Sequence, residues 1–201
     1  MFGIVYLGVF LALIGSTQGV QKCHGHPSTY MGKPCASTTW FHDGRQGACG
    51  CGYDGSDQQF TWSSSKYTAA ANQLFFDQGG AQWCGQSCGL CVNLTTTGGS
   101  APGGVDTAEG QSHVFMVVDL CPNEAPNLEW CAQTQNHPVN RYGYGAHFDL
   151  ENGVNQITQG LNWDNVEVTY QVVNCDNAVE SMTPTNQKYH QCECYKLSHG
   201  K

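Results

Sequence analysis

Positive charge is what this chain has least of. Eight Lys and Arg stand against sixteen Asp and Glu in 201 residues, for a formal net charge of −8. No run of Lys or Arg occurs anywhere, so the basic footprint of a nucleic-acid binder is missing. An anionic membrane or a polyanionic substrate is disfavoured for the same reason, and a neutral partner fits best. Long apolar runs are missing too. The only candidate, Phe2 to Ile14, is too short to span a bilayer. Gly15-Ser16-Thr17-Gln18-Gly19 follows it, in the manner of a secretory signal cleaved near Gly19. No Lys or Arg precedes the run, and a buried N-terminal helix is the bland alternative. The expectation is a signal peptide over 1–19 and one soluble, exported domain over 20–201.

Several chemical motifs are also lacking. No glycine-rich phosphate loop, no G-x-S-x-G and no H-E-x-x-H is present, which removes the usual signatures of nucleotide, serine-hydrolase and zinc-protease chemistry. No repeat, low-complexity tract or linker divides the chain. No signal for self-association is visible, and a monomer is expected.

Cysteine and glycine are what the chain has in quantity. Twelve cysteines, an even number, and 25 glycines occur in the 201 residues. In an exported chain such a count implies a full disulfide set. Cys88-Gly-Leu-Cys91 has zinc-ligand spacing, but no second pair accompanies it. The histidines of Cys23-His24-Gly25-His26 read as solvated loop residues, so neither a metal nor another cofactor is expected. Cys49 and Cys51 are two apart, as are Cys192 and Cys194. In extended chain each pair points to one side, and such neighbours commonly bridge to different partners. Bridges between the two regions would tie both chain ends to one body. Cys23–Cys35 and Cys121–Cys131 read as local staples.

The periodicity is mainly that of strands. Val166 to Val173 alternates apolar and polar residues. His113 to Leu120 is a near-continuous apolar run, read as a strand buried on both faces. Cys91 to Thr97 is β-branched and ends at Gly98-Gly99, and Ala36 to Phe41 is a shorter candidate. A helix is expected around Tyr67 to Asp77, from its alanines and its Leu74 and Phe75, stopped by Gly79-Gly80. Many short strands with few helices indicate a closed β-barrel. Asn93-Leu94-Thr95 is a glycosylation sequon in one of these strands.

Two segments present acids in unusual company. One is Thr38-Thr39-Trp40-Phe41-His42-Asp43-Gly44, followed by Gly47-Ala48-Cys49-Gly50-Cys51-Gly52. The other is Tyr142-Gly143-Tyr144-Gly145-Ala146-His147-Phe148-Asp149-Leu150. In a strand, Phe148 and Leu150 would face the core, leaving His147 and Asp149 on the other face. On composition alone each aspartate reads as a solvated turn residue.

These segments resemble the endoglucanases of glycoside hydrolase family 45, particularly the short animal members found in molluscs. Cys35-Ala36-Ser37-Thr38-Thr39, Trp83-Cys84-Gly85, His147-Phe148-Asp149-Leu150, Val172-Val173-Asn174-Cys175 and Gln191-Cys192-Glu193-Cys194 match as well. The likeness covers nearly all of the expected mature chain. It implies a mainly β fold, a six-stranded double-psi β-barrel with long loops, short helices and an open groove. The disulfides it implies are Cys23–Cys35, Cys49–Cys88, Cys51–Cys192, Cys84–Cys194, Cys91–Cys175 and Cys121–Cys131. It also implies an inverting hydrolase of β-1,4-glucans and cello-oligosaccharides, secreted into an extracellular space such as a digestive lumen, with Asp149 as general acid and Asp43 as general base. Asp119 stands where mollusc relatives often have Asn. It would tune Asp149, assist the base or simply end a strand. Trp40 and Phe41 are expected to stack on sugar, Phe41 replacing a more usual Tyr, and His147 to contact sugar or position Asp149. Trp62, Trp83, Trp130 and Trp163 are read as core or rim. The rival reading is a non-hydrolytic expansin-like or barwin-like carbohydrate binder, which would share the barrel and the His-Phe-Asp segment.

Overall fold

A computed structural model describes residues 20–45, 47–50, 66–78, 80 and 83–175. Eight strands occur in chain order: β1 (His24–Gly25), β2 (Ser28–Tyr30), β3 (Lys33–Phe41), β4 (Thr68–Asn72), β5 (Cys91–Ser100), β6 (Ser112–Cys121), β7 (Ala146–Glu151) and β8 (Val166–Val173). Two short helices, α1 (Gln73–Asp77) and α2 (Leu128–Cys131), and a π-helical turn at Gln156–Leu161 complete the elements. The strands hydrogen-bond in the order β1-β2-β3-β7-β4-β6-β5-β8, and β3 also pairs with β8. That last pairing joins the end of the sheet back to its middle. β3, β7, β4, β6, β5 and β8 therefore form a closed cycle, which leaves no free edge among them.

The alternation read in the sequence places the core inside this cycle. Ala36, Val92, Leu94, Phe115, Val117, Phe148, Leu150, Trp163, Val166 and Val168 pack together there, all buried. β6 is covered on both faces, as its apolar run implied, because Met116 and Val118 join Cys91 in a second cluster outside. No helix among the described residues is long and apolar enough to cross a membrane.

The expected helix over Tyr67 to Asp77 is corrected by the structure. Thr68–Asn72 is a fully buried strand, and only Gln73–Asp77 is helical. β4 lies between β6 and β7 and bonds to both. Two ladders outweigh the few tenths of a kcal/mol per residue by which alanine prefers a helix. The small side chains suit a strand covered on each side.

Glu167 departs from the half-solvated alternation read for β8. Its carboxylate is completely buried. It accepts bonds from the Lys22 and Cys23 amides at 2.9 and 3.0 Å, the Thr97 hydroxyl at 2.6 Å and the Tyr144 hydroxyl at 2.8 Å. One acid thus gathers several ties between the beginning of the described chain and the sheet. A Cβ on Gly99 would lie 2.5 Å from the Val20 carbonyl and 2.9 Å from Glu167 Oε1, so only glycine admits this approach.

Four of the implied disulfides are present: Cys23–Cys35, Cys49–Cys88, Cys91–Cys175 and Cys121–Cys131. Cys88 and Cys91 bridge to different partners, so their C-x-x-C spacing does not form a zinc half-site. The other two pairings involve Cys51, Cys192 and Cys194, which lie outside the described residues, as do Trp62 and the segment 1–19. Asn93 is half-buried on β5, where its side-chain oxygen accepts a bond from Ser112 Oγ at 2.8 Å.

Candidate active site

The strand register assembles one row of residues across the outer face of the sheet. Asp149 on β7 is opposite Thr39 on β3 and opposite Ala70 on β4. Ala70 is in turn opposite Asp119 on β6. The two acids flank a single methyl group, and with neighbouring strands about 4.8 Å apart their Cα atoms are separated by about 10 Å.

Asp119 reaches this row through an irregularity in β6. Ala69 pairs with Val117, whereas the next residue, Ala70, pairs with Asp119. Val118 is the extra residue of a β-bulge. Simple alternation would send Asp119 inward after Phe115 and Val117. The bulge reverses the phase and turns it toward Asp149, the re-aiming that bulges commonly provide beside functional sites.

Asp119 also ties down the turn that follows Asp43. Its Oδ1 accepts bonds from the Ala48 amide at 2.6 Å and from its neighbour Leu120 at 2.8 Å. Gly47 makes the contact possible. A Cβ there would stand 2.7 Å from the Val118 carbonyl and 3.2 Å from Asp119 Cγ. Asp43 is exposed just beyond β3, where its Oδ1 accepts a bond from the Arg45 amide at 3.0 Å.

A hydrogen-bond chain runs behind Asp149. Thr39 Oγ1 donates to Asp149 Oδ1 at 2.6 Å, and His147 Nε2 lies 3.0 Å from the same hydroxyl. Ser37 Oγ lies 2.8 Å from His147 Nδ1 and accepts a bond from Asn140 Nδ2 at 3.0 Å. A hydroxyl has one proton to give. With Thr39 giving its proton to Asp149, His147 must donate from Nε2 and accept at Nδ1. Burial holds the imidazole neutral, pushing its pKa down to about 3.

The electrostatics separate the acids. Burial lifts the Asp149 carboxyl to about 6; the Thr39 bond opposes this, and the charges of Glu151 and Asp43 add to it. Burial lifts Asp119 further, to about 7, against the two amide bonds and with added repulsion from Asp43 and Asp149. The charge of Asp43 thus acts on both buried acids, as a group of the same site does.

The remaining expectations divide. Phe41 shares the strand parity of Thr39 and packs beside Ala70, Trp130 and the Cys121–Cys131 bridge, on the face of the acids. Trp40 has the opposite parity; it is exposed, and its indole N–H donates to Asp164 at 3.2 Å. Direct sugar contact by His147 is corrected, because the ring is wholly buried and stacked on Trp130. It reaches the acid through Thr39. Trp163 is core, as read. Sequence reading gave no role to Ala70, Thr39 or Glu151. Thr39 stood in the quoted motif, but its bond depends on the parallel register of β3 with β7, which periodicity does not reveal.

Known proteins share the fold and much of this chain's sequence. The family model described as EXPB1-like domain 1 matches residues 36–181, a span that includes all three acids. An endoglucanase of Mytilus edulis is 52% identical over 178 residues, covering 87% of this chain and 98% of its own. Endoglucanase-5 of Hypocrea jecorina is 41% identical over 153 residues, 73% of this chain and 59% of its own. Among solved structures, β-1,4-D-endoglucanase Cel45A from the blue mussel Mytilus edulis has 51% identity and a TM-score of 0.79, covering 88% of this chain and 99% of its own. GH45 endoglucanase EG27II, solved in complex with cellobiose, has 44% identity and a TM-score of 0.75, covering 87% and 97%. Fold, acidic face and these likenesses together define a glycoside hydrolase. Within that class, the chain belongs to family 45, the endoglucanases.

Proposed function

We propose that this enzyme is a secreted, monomeric endo-β-1,4-glucanase that cuts cellulose-like chains with inversion, Asp149 acting as general acid and Asp43 as general base. The observation that carries the reading is a carboxyl lifted to about 6 in a row that another acid overlooks. Inversion needs this division of labour. One carboxyl must keep a proton for the departing glucosyl oxygen, while another, ionised, takes a proton from water on the opposite side of the sugar. Burial keeps Asp149 protonated under mildly acidic conditions, and the exposed Asp43 suits the base. The Thr39 bond occupies Oδ1, which leaves Oδ2 to hold the proton. Asp119 positions the loop that carries the base through the Ala48 amide. Phe41 offers an apolar ring on the same face for a sugar. The fold that suits this chemistry is a six-stranded double-psi barrel, completed by Cys51–Cys192 and Cys84–Cys194 and following a signal peptide over 1–19. The cellobiose bound to EG27II is consistent with a cello-oligosaccharide as ligand.

Asp149→Asn and Asp43→Asn should each lower the release of reducing ends from carboxymethylcellulose by roughly 10²–10⁴-fold in folded protein. Near-normal release by either variant would overturn the assignment. The match to the EXPB1-like domain 1 model leaves a second reading, an expansin-like non-hydrolytic loosening of the polymer. Weakening of cellulose film by the wild-type protein with no sugar released would favour it.

A further inference from the structure

We propose that Glu151 and His42 are a positioning pair: a buried carboxylate at the end of β7 holds the imidazole that leads into Asp43, so one fixed anion orients the base-bearing turn and stands over the acid. The inference rests on the catalytic reading above and adds two residues to it.

Glu151 is two residues beyond Asp149 on the same strand and therefore on the same face. It is opposite Phe41, the last residue of β3, and is completely buried. A buried carboxylate is costly unless it is paired. His42 Nδ1 lies 2.6 Å from its Oε1, and since an ionised carboxylate can only accept, the imidazole donates. The His42 side chain is 45% exposed while that of Glu151 is fully buried, so the pair spans from solvent to the interior beside the acid. A second bond binds the same turn to the same segment, from the Asn152 amide to the Phe41 carbonyl at 2.8 Å. Asp43 follows His42 directly, and among the described residues its carboxylate accepts a local bond, from the Arg45 amide. The position of the base relative to β7 is thus set by the residue before it.

The charges around Asp149 come from each side. Asp43 follows β3, Asp119 is on β6, Glu151 is on β7 itself, and Thr39 and the neutral His147 supply the hydrogen bonds. Of these, the Glu151 charge repels an ionised Asp149 more strongly than the Asp43 charge does. An anion in that place favours the protonated form of Asp149, and its loss favours the ionised form.

The test is the pH profile of kcat/KM on a soluble cello-oligosaccharide. Glu151→Gln removes the anion at nearly constant shape. Its alkaline limb should move to lower pH by about half a unit or more, with kcat reduced about tenfold and KM within about twofold. Glu151→Asp keeps the anion but shortens its reach, so kcat should fall while the limb stays near its wild-type position. His42→Ala, at an exposed position, should fold whatever becomes of the Glu151 variants. It should lose about tenfold in kcat and regain part of it when imidazole is added. An alkaline limb unmoved in Glu151→Gln, or undiminished kcat in His42→Ala, would overturn the proposal. Asp149→Asn in the same assay separates the two failures. If it is inactive while the limb in Glu151→Gln stays in place, the pair alone is wrong. If it is active, the catalytic assignment falls first.

Discussion

Asp149 and Asp119 differ from ordinary surface aspartates because each is covered on the side away from the row. Both carboxyls bind a proton more tightly in the folded chain than an aspartate does in water, where the pKa is about 3.9. The linkage has a definite sign. Above the unfolded value the unfolded chain has already released these protons, so folding becomes less favourable as pH rises, until each carboxyl ionises in the folded state as well. For Asp119 the window runs from about 4 to about 7. Asp119→Asn keeps an oxygen for the Ala48 and Leu120 amides but cannot ionise. Its melting temperature should match wild type near pH 4 and exceed it near pH 8, by several degrees if the gain is a few kcal/mol. Thermal melts across that range check this, and an equal or lower melting temperature near pH 8 would mean that Asp119 is not held against ionisation.

At the scale of elements, the site depends on β4 being thin and on β6 being irregular. Ala70 leaves the space between the two acids open while it packs on Phe41, Trp130 and the Cys121–Cys131 bridge. Ala70→Leu should fill that space. Overpacking at a covered strand costs about 1–3 kcal/mol, and displacement of the acids by about 1 Å lowers kcat by about 10²-fold. Urea unfolding and initial rates measure the two effects separately, and unchanged turnover would contradict the row described here. The same elements show what was legible beforehand. β8 was readable over Val166 to Val173 from its period of two, and β6 from its apolar run. Phe148 and Leu150 correctly placed Asp149 on the outer face. β4 was misread, because alanines favour a helix in isolation and nothing local announces two flanking ladders. The bulge at Val118 was invisible as well, since a register shift is a relation between strands. The acids themselves became conspicuous through family resemblance rather than through spacing.

The whole molecule is held by a closed strand cycle, by disulfides and by one buried acid. Glu167 joins the beginning of the described chain, β5 and Tyr144 through a single carboxylate. Glu167→Ala would leave the Lys22 and Cys23 amides and the Thr97 and Tyr144 hydroxyls without that partner. At about 1–3 kcal/mol for each buried group left unsatisfied, with some regained by water, the loss should be on the order of 3–5 kcal/mol. A urea titration of oxidised protein tests this, and a loss below about 1 kcal/mol would show that the N-terminal segment is held mainly by the Cys23–Cys35 bridge and its other contacts rather than by Glu167. The same architecture brings β3, β4, β6 and β7 side by side, so that one face presents an acid from β6, an acid from β7 and the turn beyond β3. Inverting hydrolysis requires water to reach the sugar from the side opposite the leaving group. Proton NMR of the first product released from a soluble cello-oligosaccharide, recorded before mutarotation, reports that geometry directly. The α-anomer is expected, and initial release of the β-anomer would contradict the roles assigned to Asp149 and Asp43.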